Sequence, residues 1–344
     1  MRVITAIRCL AGLLIVGTLT ASAGELPRNE SAADLRPKGA TYWRSDGSIN
    51  IVGSAGLREL LTEFNQRFAR THPGISFTLH LDPSGATGLG GLAAGVSAFA
   101  PMDRAAWPQE TRPFRQVYGY EVTDICIGRQ GYAPATGLGP PVLCINARNP
   151  LAGLTVGQAT RIFTRGSDEG DLTHWSQLGL TGDWGERVIH LYGPRDNGGF
   201  VSALRHSRMG GWPLSRRYEP LATTAGILQA VVDDPYAIGL IGVHEAAALP
   251  NGVRLLPLAA IAHTPFRMAD GADLAAGRYP WGDFVHLYIN LAPGQPLDPL
   301  VRDYLRLVLS PEGQALIAAA GHVPLTAPEV GGELAKFERA KPSP

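Results

Sequence analysis

The sequence predicts an α/β protein of two domains, and two observations lead to that prediction. Removing an N-terminal leader of residues 1–23 from the 344-residue chain leaves 321 residues, which is more than one hydrophobic core usually organises. Within that length, the order of a strand, a loop of small residues and a helix recurs three times, which is typical of a parallel α/β sheet. No repeat of solenoid period is visible, so these are separate βα units.

Residues 1–23 have the features of a secretory signal peptide. Arg2 and Arg8 accompany a short apolar run at 10–19, and Ala21-Ser22-Ala23 fits the small-x-small pattern that signal peptidase cleaves. The run is shorter than the roughly 20 apolar residues that span a bilayer core. We therefore expect cleavage near Ala23 and a periplasmic or secreted product that does not span the membrane. An uncleaved N-terminal anchor is the alternative.

The charge balance argues against nucleic acid as a partner. The full chain has 30 Lys and Arg residues and 30 Asp and Glu residues, and the leader removes two arginines, so the mature net charge is near −2. Such a chain lacks the basic stripe that binding to a phosphate backbone requires. Residues 24–47 are polar and irregular, which predicts an N-terminal arm before the first strand.

Two cysteines, Cys126 and Cys144, remain after Cys9 leaves with the leader. Each lies in an apolar, strand-like run, and the exported compartment is oxidising, so a disulfide between neighbouring strands is possible. Two buried free thiols are an equal alternative, because the sequence fixes no distance between them. Two cysteines alone do not form a four-ligand zinc site, and no His-Glu-x-x-His pattern is present.

The first two βα units occupy residues 49–95. A β-prone run at 49–52 leads through small residues to a stretch whose leucines and phenylalanines at 57–68 recur at helical spacing. A second strand is predicted at 76–81, and a small, apolar helix at 89–95. Both loops, at 53–56 and 82–88, are rich in small residues.

The third unit and the C-terminal part complete the prediction. A strand at 188–192, a loop at 193–199 and a helix at 200–206 form the third unit. Further strands are predicted at 237–243 and 284–291, followed by a helix whose apolar face spans 300–308. Ser310-Pro311 predicts the start of a last helix that ends at Gly321.

The three loops share a property that favours anion binding. Each places small residues directly before a helix, where free backbone N–H groups and the positive end of the helix dipole converge. Ser54, Ser84 and Thr87 add hydroxyl donors, and Arg195 adds a guanidinium group. One such loop is typical of an ordinary helix cap. Three in one exported α/β chain indicate an anion site.

The order of these motifs resembles the phosphate-binding protein family of ABC importers. The similarity spans residues 49–325, and its middle segment is the most specific part. The residues that carry it are Gly53-Ser54, Ser84-Gly85-Ala86-Thr87-Gly88, Phe99-Ala100-Pro101-Met102-Asp103, Asn149-Pro150-Leu151, Gly153-Leu154-Thr155, Gln158, Ile162-Phe163, His174-Trp175, Arg195 with Gly198-Gly199, and Ala237-Ile238-Gly239-Leu240.

The resemblance implies a two-lobed periplasmic binding protein type II architecture. In this fold each lobe is a mixed or mostly parallel sheet flanked by helices, the chain crosses the hinge twice, and the ligand cleft lies between the lobes. We expect residues 48–120 with 244–325 to form domain I, and 121–243 to form domain II. Residues 326–344 are expected to be a C-terminal tail.

The resemblance also implies roles for particular residues. Asp103 matches a carboxylate that accepts a hydrogen bond from a protonated phosphate oxygen, and Arg195 matches the charged donor; for Asp103, a helix cap before Ala105 is the alternative. The sequence departs from the family pattern where hydroxyl residues are usual, at Ala55 and at 198–200. Each lost hydrogen bond to an anion weakens binding by about 1.5–3 kcal/mol. The candidate ligand-binding residues are Ser54, Ala55, Gly56, Ser84, Gly85, Ala86, Thr87, Asp103, Arg195, Asn197, Gly198 and Gly199.

The resemblance implies an extracytoplasmic protein that binds phosphate or a similar oxyanion for an ABC importer. Its expected partners are that small oxyanion and an ABC permease, the chain is expected to be monomeric, and no cofactor, metal or catalytic residue is expected. The first alternative is a secreted or periplasmic sensing or scavenging module of the same fold with a different ligand or a protein partner. A nucleotide-dependent enzyme is the second alternative, since Gly88-x-Gly90-x-x-Ala93 follows a strand. That loop is too long for a dinucleotide fingerprint, and Asp103 follows it too closely.

Overall fold

The structure is a computed structural model that describes residues 35, 39–83, 85–132, 139–196 and 199–338. The predicted signal peptide and the candidate residues Ser84, Asn197 and Gly198 lie outside the described residues. Within the described ranges, every helix is too short or too polar to cross a bilayer.

The first lobe begins with two parallel strands connected by a helix. Its first elements are β1 (Ser48–Ser54), α1 (Arg58–Thr71), β2 (Ser76–Asp82), α2 (Thr87–Ala93), β3 (Ala100–Met102), α3 (Pro108–Tyr118) and β4 (Thr123–Arg129). β1 and β2 pair in parallel, with Ser48 opposite Ser76. A 3-10 turn, Ala55–Leu57, leads into α1. The buried face of α1 consists of Leu60, Leu61, Phe64 and Phe68, as the helical spacing predicted.

The second lobe is built on a mixed five-stranded sheet. Its elements are β5 (Pro141–Asn146), β6 (Leu154–Thr155), α4 (Val156–Phe163), β7 (His190–Gly193), α5 (Phe200–Arg208), β8 (Tyr218–Pro220), α6 (Thr224–Asp233), β9 (Ala237–Gly242), β10 (Val253–Leu256), β11 (Leu258–Ala259) and α7 (Gly271–Ala275). The strand order is β10-β5-β9-β7-β8. β7 pairs in parallel with β8 and β9, whereas β5 is antiparallel to both its neighbours. All six residues of β9 are buried, so this strand lies in the centre of the lobe.

The chain then returns to the first lobe. The remaining elements are β12 (Phe284–Ile289), α8 (Pro299–Val308), α9 (Pro311–Ala319), β13 (Val323–Pro324) and α10 (Ala327–Glu338). β12 lies between β4 and β3 in an antiparallel sheet of order β13-β4-β12-β3. Ser310 caps α9 through a hydrogen bond from the backbone N–H of Gly313, which confirms the helix start predicted there.

Both domain boundaries lie later in the chain than predicted. The predicted change of lobe at residue 121 is wrong, because β4 pairs with β12 and β13 of the first lobe; the first crossing follows Arg129. The predicted return at residue 244 is also wrong. β10 pairs with β5, and Leu256, Leu274 and Trp281 pack in the second core, so the return comes just before Phe284.

The chain ends are more structured than predicted. In the described part of the arm, Leu35, Tyr42 and Trp43 pack into the core of the first lobe. At the other end, residues 327–338 form α10 rather than a tail. Phe337 anchors α10, since it is only 4% exposed within the same core.

The possible disulfide between Cys126 and Cys144 is not formed. Both cysteines are free. Cys126 lies on β4 in the sheet of the first lobe, whereas Cys144 lies on β5 in the sheet of the second lobe. A disulfide requires neighbouring backbones, and two strands in different lobes do not provide them.

Candidate functional site

A cavity of about 350 Å³ lies between the two lobes. Its walls come from the loops that follow β1, β2 and β3, from α5, and from the segments that connect the lobes. The lining residues of the first lobe and its connections include Ala55, Gly56, Pro83, Asp103, Arg104, Gln130, Asp283 and His322. Those of the second lobe include Gly139, Pro141, Gly199, Phe200, Ala203, Leu204, Ser207, Arg208 and Trp281.

The polar centre of the first-lobe wall is Asp103, which lines the cavity and is bonded to the fully buried Ser54. Ser54 is the last residue of β1, and its Oγ donates a 2.9 Å hydrogen bond to Oδ1 of Asp103. The same Oγ accepts a hydrogen bond of 3.2 Å from the backbone N–H of Gly56. Asp103 directly follows β3, whose last residue is Met102. Two strand ends and the start of a helix therefore meet at one carboxyl group.

Asp103 is not a helix cap, because α3 begins at Pro108 with Trp107 in the cap position. Burial has the largest effect on the Asp103 carboxyl and raises its pKa, since desolvation disfavours the charged form. The hydrogen bond from Ser54 and the nearby charges of Arg104 and His286 lower the pKa but do not offset burial. A ligand that donates a hydrogen bond to this carboxylate would relieve part of that unfavourable burial.

Gly56 allows the Asp103 carboxylate to lie against the start of the helix. A Cβ at position 56 would overlap Oδ2 of Asp103. We expect Gly56→Ala to displace this carboxylate from Ser54 and to weaken anion binding at least about tenfold, the equivalent of one lost hydrogen bond to a charged group. Titration calorimetry measures this change.

Gly90→Ala is the matched control for this substitution. Gly90 lies in α2, where a Cβ would meet nothing within 4 Å. We expect Gly90→Ala to leave binding unchanged and to stabilise the protein by up to about 1 kcal/mol, because alanine is the better helix former. Equal affinities of the Gly56→Ala variant and the parent would show that the carboxylate position does not matter.

The structure brings only part of the predicted second loop to the site. Gly85 lies against Ser54, since a Cβ at Gly85 would be 3.2 Å from the Cβ of Ser54. Ala86 and Thr87 are exposed. The Thr87 hydroxyl donates to Oδ2 of Asp82, at the end of β2. Thr87 is therefore directed to its own loop rather than to Asp103.

The predicted third loop is represented at the cavity by Gly199, which precedes α5. Arg195 is exposed and is not among the residues that line the cavity. Its neighbour Asp196 accepts hydrogen bonds from Ser202 and Arg205 of α5. In this structure the guanidinium group at the cavity wall of the second lobe belongs to Arg208.

Arg208 connects the second lobe to the returning segment. Its Nη2 donates a 2.9 Å hydrogen bond to the carbonyl of Gly282 and lies 3.3 Å from Oδ1 of Asp283. Burial raises the pKa of Asp283, but the nearby His286, whose Nε2 lies 3.7 Å from Oδ1, and the charge of Arg208 outweigh burial, so the net pKa is lowered. Asp283 is therefore ionised at neutral pH, and Arg208 is already partly neutralised before any ligand binds.

The two connections between the lobes are joined at the floor of the cavity. The backbone N–H of Gln130 donates to the carbonyl of Asp283 at 2.9 Å, and its side-chain amide donates to the carbonyl of Asp103 at 2.7 Å. Among the described residues, three buried polar atoms of the cavity lining have no hydrogen-bond partner: Oε1 of Gln130, Nε1 of Trp281 and Nδ1 of His322. Burial lowers the pKa of His322 to about 4, so this ring is neutral at pH 7.

Sequence reasoning missed Gln130, Arg208, Trp281, Asp283 and His322. They lie in four separate stretches of the chain, and neither a motif nor a spacing connects them. The only available signal was the position of Gln130 and Asp283 at strand ends, and using it required the correct domain boundaries.

Comparisons with known proteins agree with this architecture. The model of the PBP superfamily domain matches residues 39–312. The phosphate-binding protein PstS of Pseudomonas aeruginosa is 27% identical over 320 residues, covering 91% of this chain and 95% of the relative. An ABC-type phosphate transport receptor from Vibrio cholerae has a TM-score of 0.57 at 15% identity, covering 80% of this chain and 100% of that chain. PstS from Borrelia burgdorferi has a TM-score of 0.57 at 14% identity, covering 81% and 99%.

These matches confirm the fold class and the family resemblance that the sequence motifs indicated. The two solved structures support the two-lobed fold alone, because their identities to this chain are low. The family model covers most of the chain, and the chain belongs to the PBP superfamily.

Proposed function

We propose that this chain is an extracytoplasmic solute-binding protein that holds phosphate, or a phosphate-like oxyanion, between its lobes for an ABC importer. The single observation that carries the proposal is the half-buried Asp103 carboxyl at the wall of the interdomain cavity, where it accepts a hydrogen bond from the fully buried Ser54 beside the start of α1. The relatives named above are themselves called phosphate-binding or phosphate transport proteins, which supports the same ligand class.

The first lobe would recognise the ligand through complementary groups. Backbone N–H groups at a helix start favour an anion. At this helix start, the absence of a side chain at Gly56 lets the Asp103 carboxylate approach the backbone closely. The Asp103 carboxylate repels an anion unless the ligand carries a proton to share. Phosphate at neutral pH carries such a proton and sulfate does not, so Asp103 would select phosphate by penalising the competitor.

The second lobe would complete the site when the lobes close. Arg208 already lies at the cavity wall, and Arg195 with the loop at 197–199 is the donor set that the family resemblance implies. Closure around a small ligand requires converging donors and a hinge. It requires no nucleophile or general base. Binding without chemical change is therefore the proposed activity, and the relatives support this as named binding and transport proteins.

Several further assignments belong to this proposal. The proposed ligand contacts in the first lobe are Ser54, Ala55, Gly56, Gly85 and Asp103, with Ser84 and Ala86 in the same loop region. Thr87 is a weaker candidate because it bonds to Asp82. Export after cleavage near Ala23, delivery to an ABC permease and a monomeric state are also proposed.

Isothermal titration calorimetry of the mature, ligand-stripped protein tests the proposed function. We expect phosphate to bind with one site per chain and sulfate to bind much more weakly at neutral pH. Because Asp103 lies at the wall of a cavity between the lobes rather than on the outer surface, the preference for phosphate should persist at higher salt, where surface ion binding is screened. Absence of heat and of thermal stabilisation with both anions would reject the oxyanion proposal while leaving the fold assignment intact.

A further inference from the structure

A second cluster of chemically reactive side chains lies on the sheet of the first lobe. Asp124 and Cys126 are two residues apart on β4, so their side chains lie on the same face of the strand. The intervening Ile125 points to the other face and is fully buried in the core. His286 on β12 is directly opposite Cys126 in the antiparallel register. Three different ligand types therefore meet on one face of two paired strands.

The distances within this cluster are close to those of a metal centre. Nδ1 of His286 lies 2.9 Å from Oδ1 of Asp124 and 4.0 Å from Sγ of Cys126, and the three ligand atoms all lie within 4.8 Å of one another. In a tetrahedral zinc site with ordinary bond lengths, ligand atoms are separated by about 3.3–3.6 Å. The observed distances bracket that range, so small side-chain movements would produce it.

We propose that Asp124, Cys126 and His286 bind a borderline divalent transition-metal ion such as Zn²⁺. A thiolate together with an imidazole suits zinc and similar ions, whereas Mg²⁺ and Ca²⁺ prefer oxygen ligands alone. Three protein ligands leave the fourth position for water. The Asp124 side chain is 40% exposed, which gives the ion a path from solvent.

The surroundings of His286 are suited to this role. A ligating histidine usually donates its second ring N–H to a carboxylate, which orients the ring and fixes its tautomer. Nε2 of His286 makes no hydrogen bond to a described residue, and the carboxylate oxygen it faces, Oδ1 of Asp283, is 3.7 Å away, while Nδ1 faces Asp124 and Cys126. The side chain of His286 is only 4% exposed, and its ring stacks on Tyr288 with centroids 5.6 Å apart. The ring is therefore held in place before a metal binds.

The helix α10 closes the edge of the cluster. Glu333 accepts a hydrogen bond from the backbone N–H of Cys126 at 2.9 Å. Lys336 donates to the carbonyl of Asp124 at 2.8 Å and lies 2.6 Å from the Glu333 carboxylate. The charge of Lys336 is thus neutralised by Glu333, so it adds little repulsion to a bound cation.

Cobalt titration of the tag-free mature protein, stripped with a chelator and reduced, tests this proposal. Co²⁺ bound to a thiolate gives a sulfur-to-metal charge-transfer band in the near ultraviolet. We expect this band to saturate at one Co²⁺ per chain and to disappear when Zn²⁺ is added. Cys126→Ser should abolish the band, whereas Asp124→Asn should keep it and weaken metal affinity about 10- to 100-fold, by analogy with changes around known metal sites.

Cys144→Ser is the matched control, because Cys144 is the other mature cysteine and is buried in the second lobe. The band should remain unchanged in this variant. A band that survives Cys126→Ser, or no saturable band in the parent, would overturn the proposal. If Cys126→Ser fails to fold, alkylation of the parent still decides: Zn²⁺ should slow modification of Cys126, and an unchanged rate would refute the site.

Discussion

Asp103→Asn is expected to lower the affinity for phosphate by about 10- to 100-fold, which is the range for losing one hydrogen bond to a charged group. The amide removes the negative charge that rejects unprotonated anions. The affinity for sulfate should therefore rise, and the preference for phosphate over sulfate should fall by more than the loss of phosphate affinity alone. Titration calorimetry with both anions at neutral pH measures this preference.

The same variant should be more stable than the parent at neutral pH. Burial raises the pKa of Asp103 in the folded state, so the folded protein holds this proton more readily than the unfolded chain does. The contribution of Asp103 to stability is thus present at low pH and is lost as pH rises through its folded pKa. We expect Asp103→Asn to raise the Tm at pH 7, and this difference from the parent to shrink as the pH is lowered.

Asp168→Asn is the control for the loss of one carboxylate, because Asp168 is exposed in the second lobe and does not line the cavity. It should change neither the anion preference nor the Tm appreciably. If Asp103→Asn left the ratio of phosphate to sulfate affinity unchanged, Asp103 would not be the group that distinguishes a protonated anion from an unprotonated one.

Arg208→Ala is the second change for which we expect a large effect, a fall in phosphate affinity of about 10- to 100-fold. Arg208 is the guanidinium donor at the second-lobe wall of the cavity. Removing it also leaves Asp283 without its 3.3 Å partner, so the negative charge beside the ligand is less well compensated. Both consequences disfavour an anion, so calorimetry should show weaker binding. Raising the salt concentration should reduce the remaining affinity only slightly.

Arg195→Ala separates the two candidate arginines. The family resemblance assigns the charged donor to Arg195, whereas this structure places Arg208 at the cavity and Arg195 in solvent. We expect Arg195→Ala to weaken phosphate binding less than Arg208→Ala does, because Arg195 would reach the ligand only after closure. Arg148→Ala removes an exposed arginine of the second lobe that lines neither the interdomain cavity nor the other basic pocket of that lobe, and it should have no effect. A large loss with Arg195→Ala alone would contradict the assignment to Arg208.

Much of the local structure could be predicted from the sequence. The helical spacing of leucines and phenylalanines predicted α1, and Ser310-Pro311 predicted the start of α9, because these signals are local. Pairing between strands is not local. The apolar run around Cys126 has the same residue pattern whether its strand pairs in the first or the second sheet. The predicted boundary at residue 121 is therefore wrong, and the sequence could not exclude a disulfide with Cys144.

The residues of the candidate site also divide into those that local sequence signals identify and those that depend on tertiary structure. Ser54, Gly56 and Asp103 could be found because all three lie at strand ends: Ser54 ends β1, Gly56 lies in the turn that starts the next helix, and Asp103 directly follows β3. Thr87 could not be ruled out from sequence, since nothing in the motif shows that Asp82 takes its hydroxyl. Arg208 is at the last position of α5, nine residues from Gly199. Its place at the cavity depends on how the lobes face each other.

A crystal structure of the protein with phosphate, repeated with arsenate to locate the anion by anomalous scattering, tests the central claim most directly. We predict one anion in the interdomain cavity, within hydrogen-bond distance of the Asp103 carboxyl and beside the turn that contains Ala55 and Gly56. The second lobe provides a competing basic pocket that includes Arg165, Arg216 and Arg217. An anion bound there, with the interdomain cavity holding only solvent, would contradict the account.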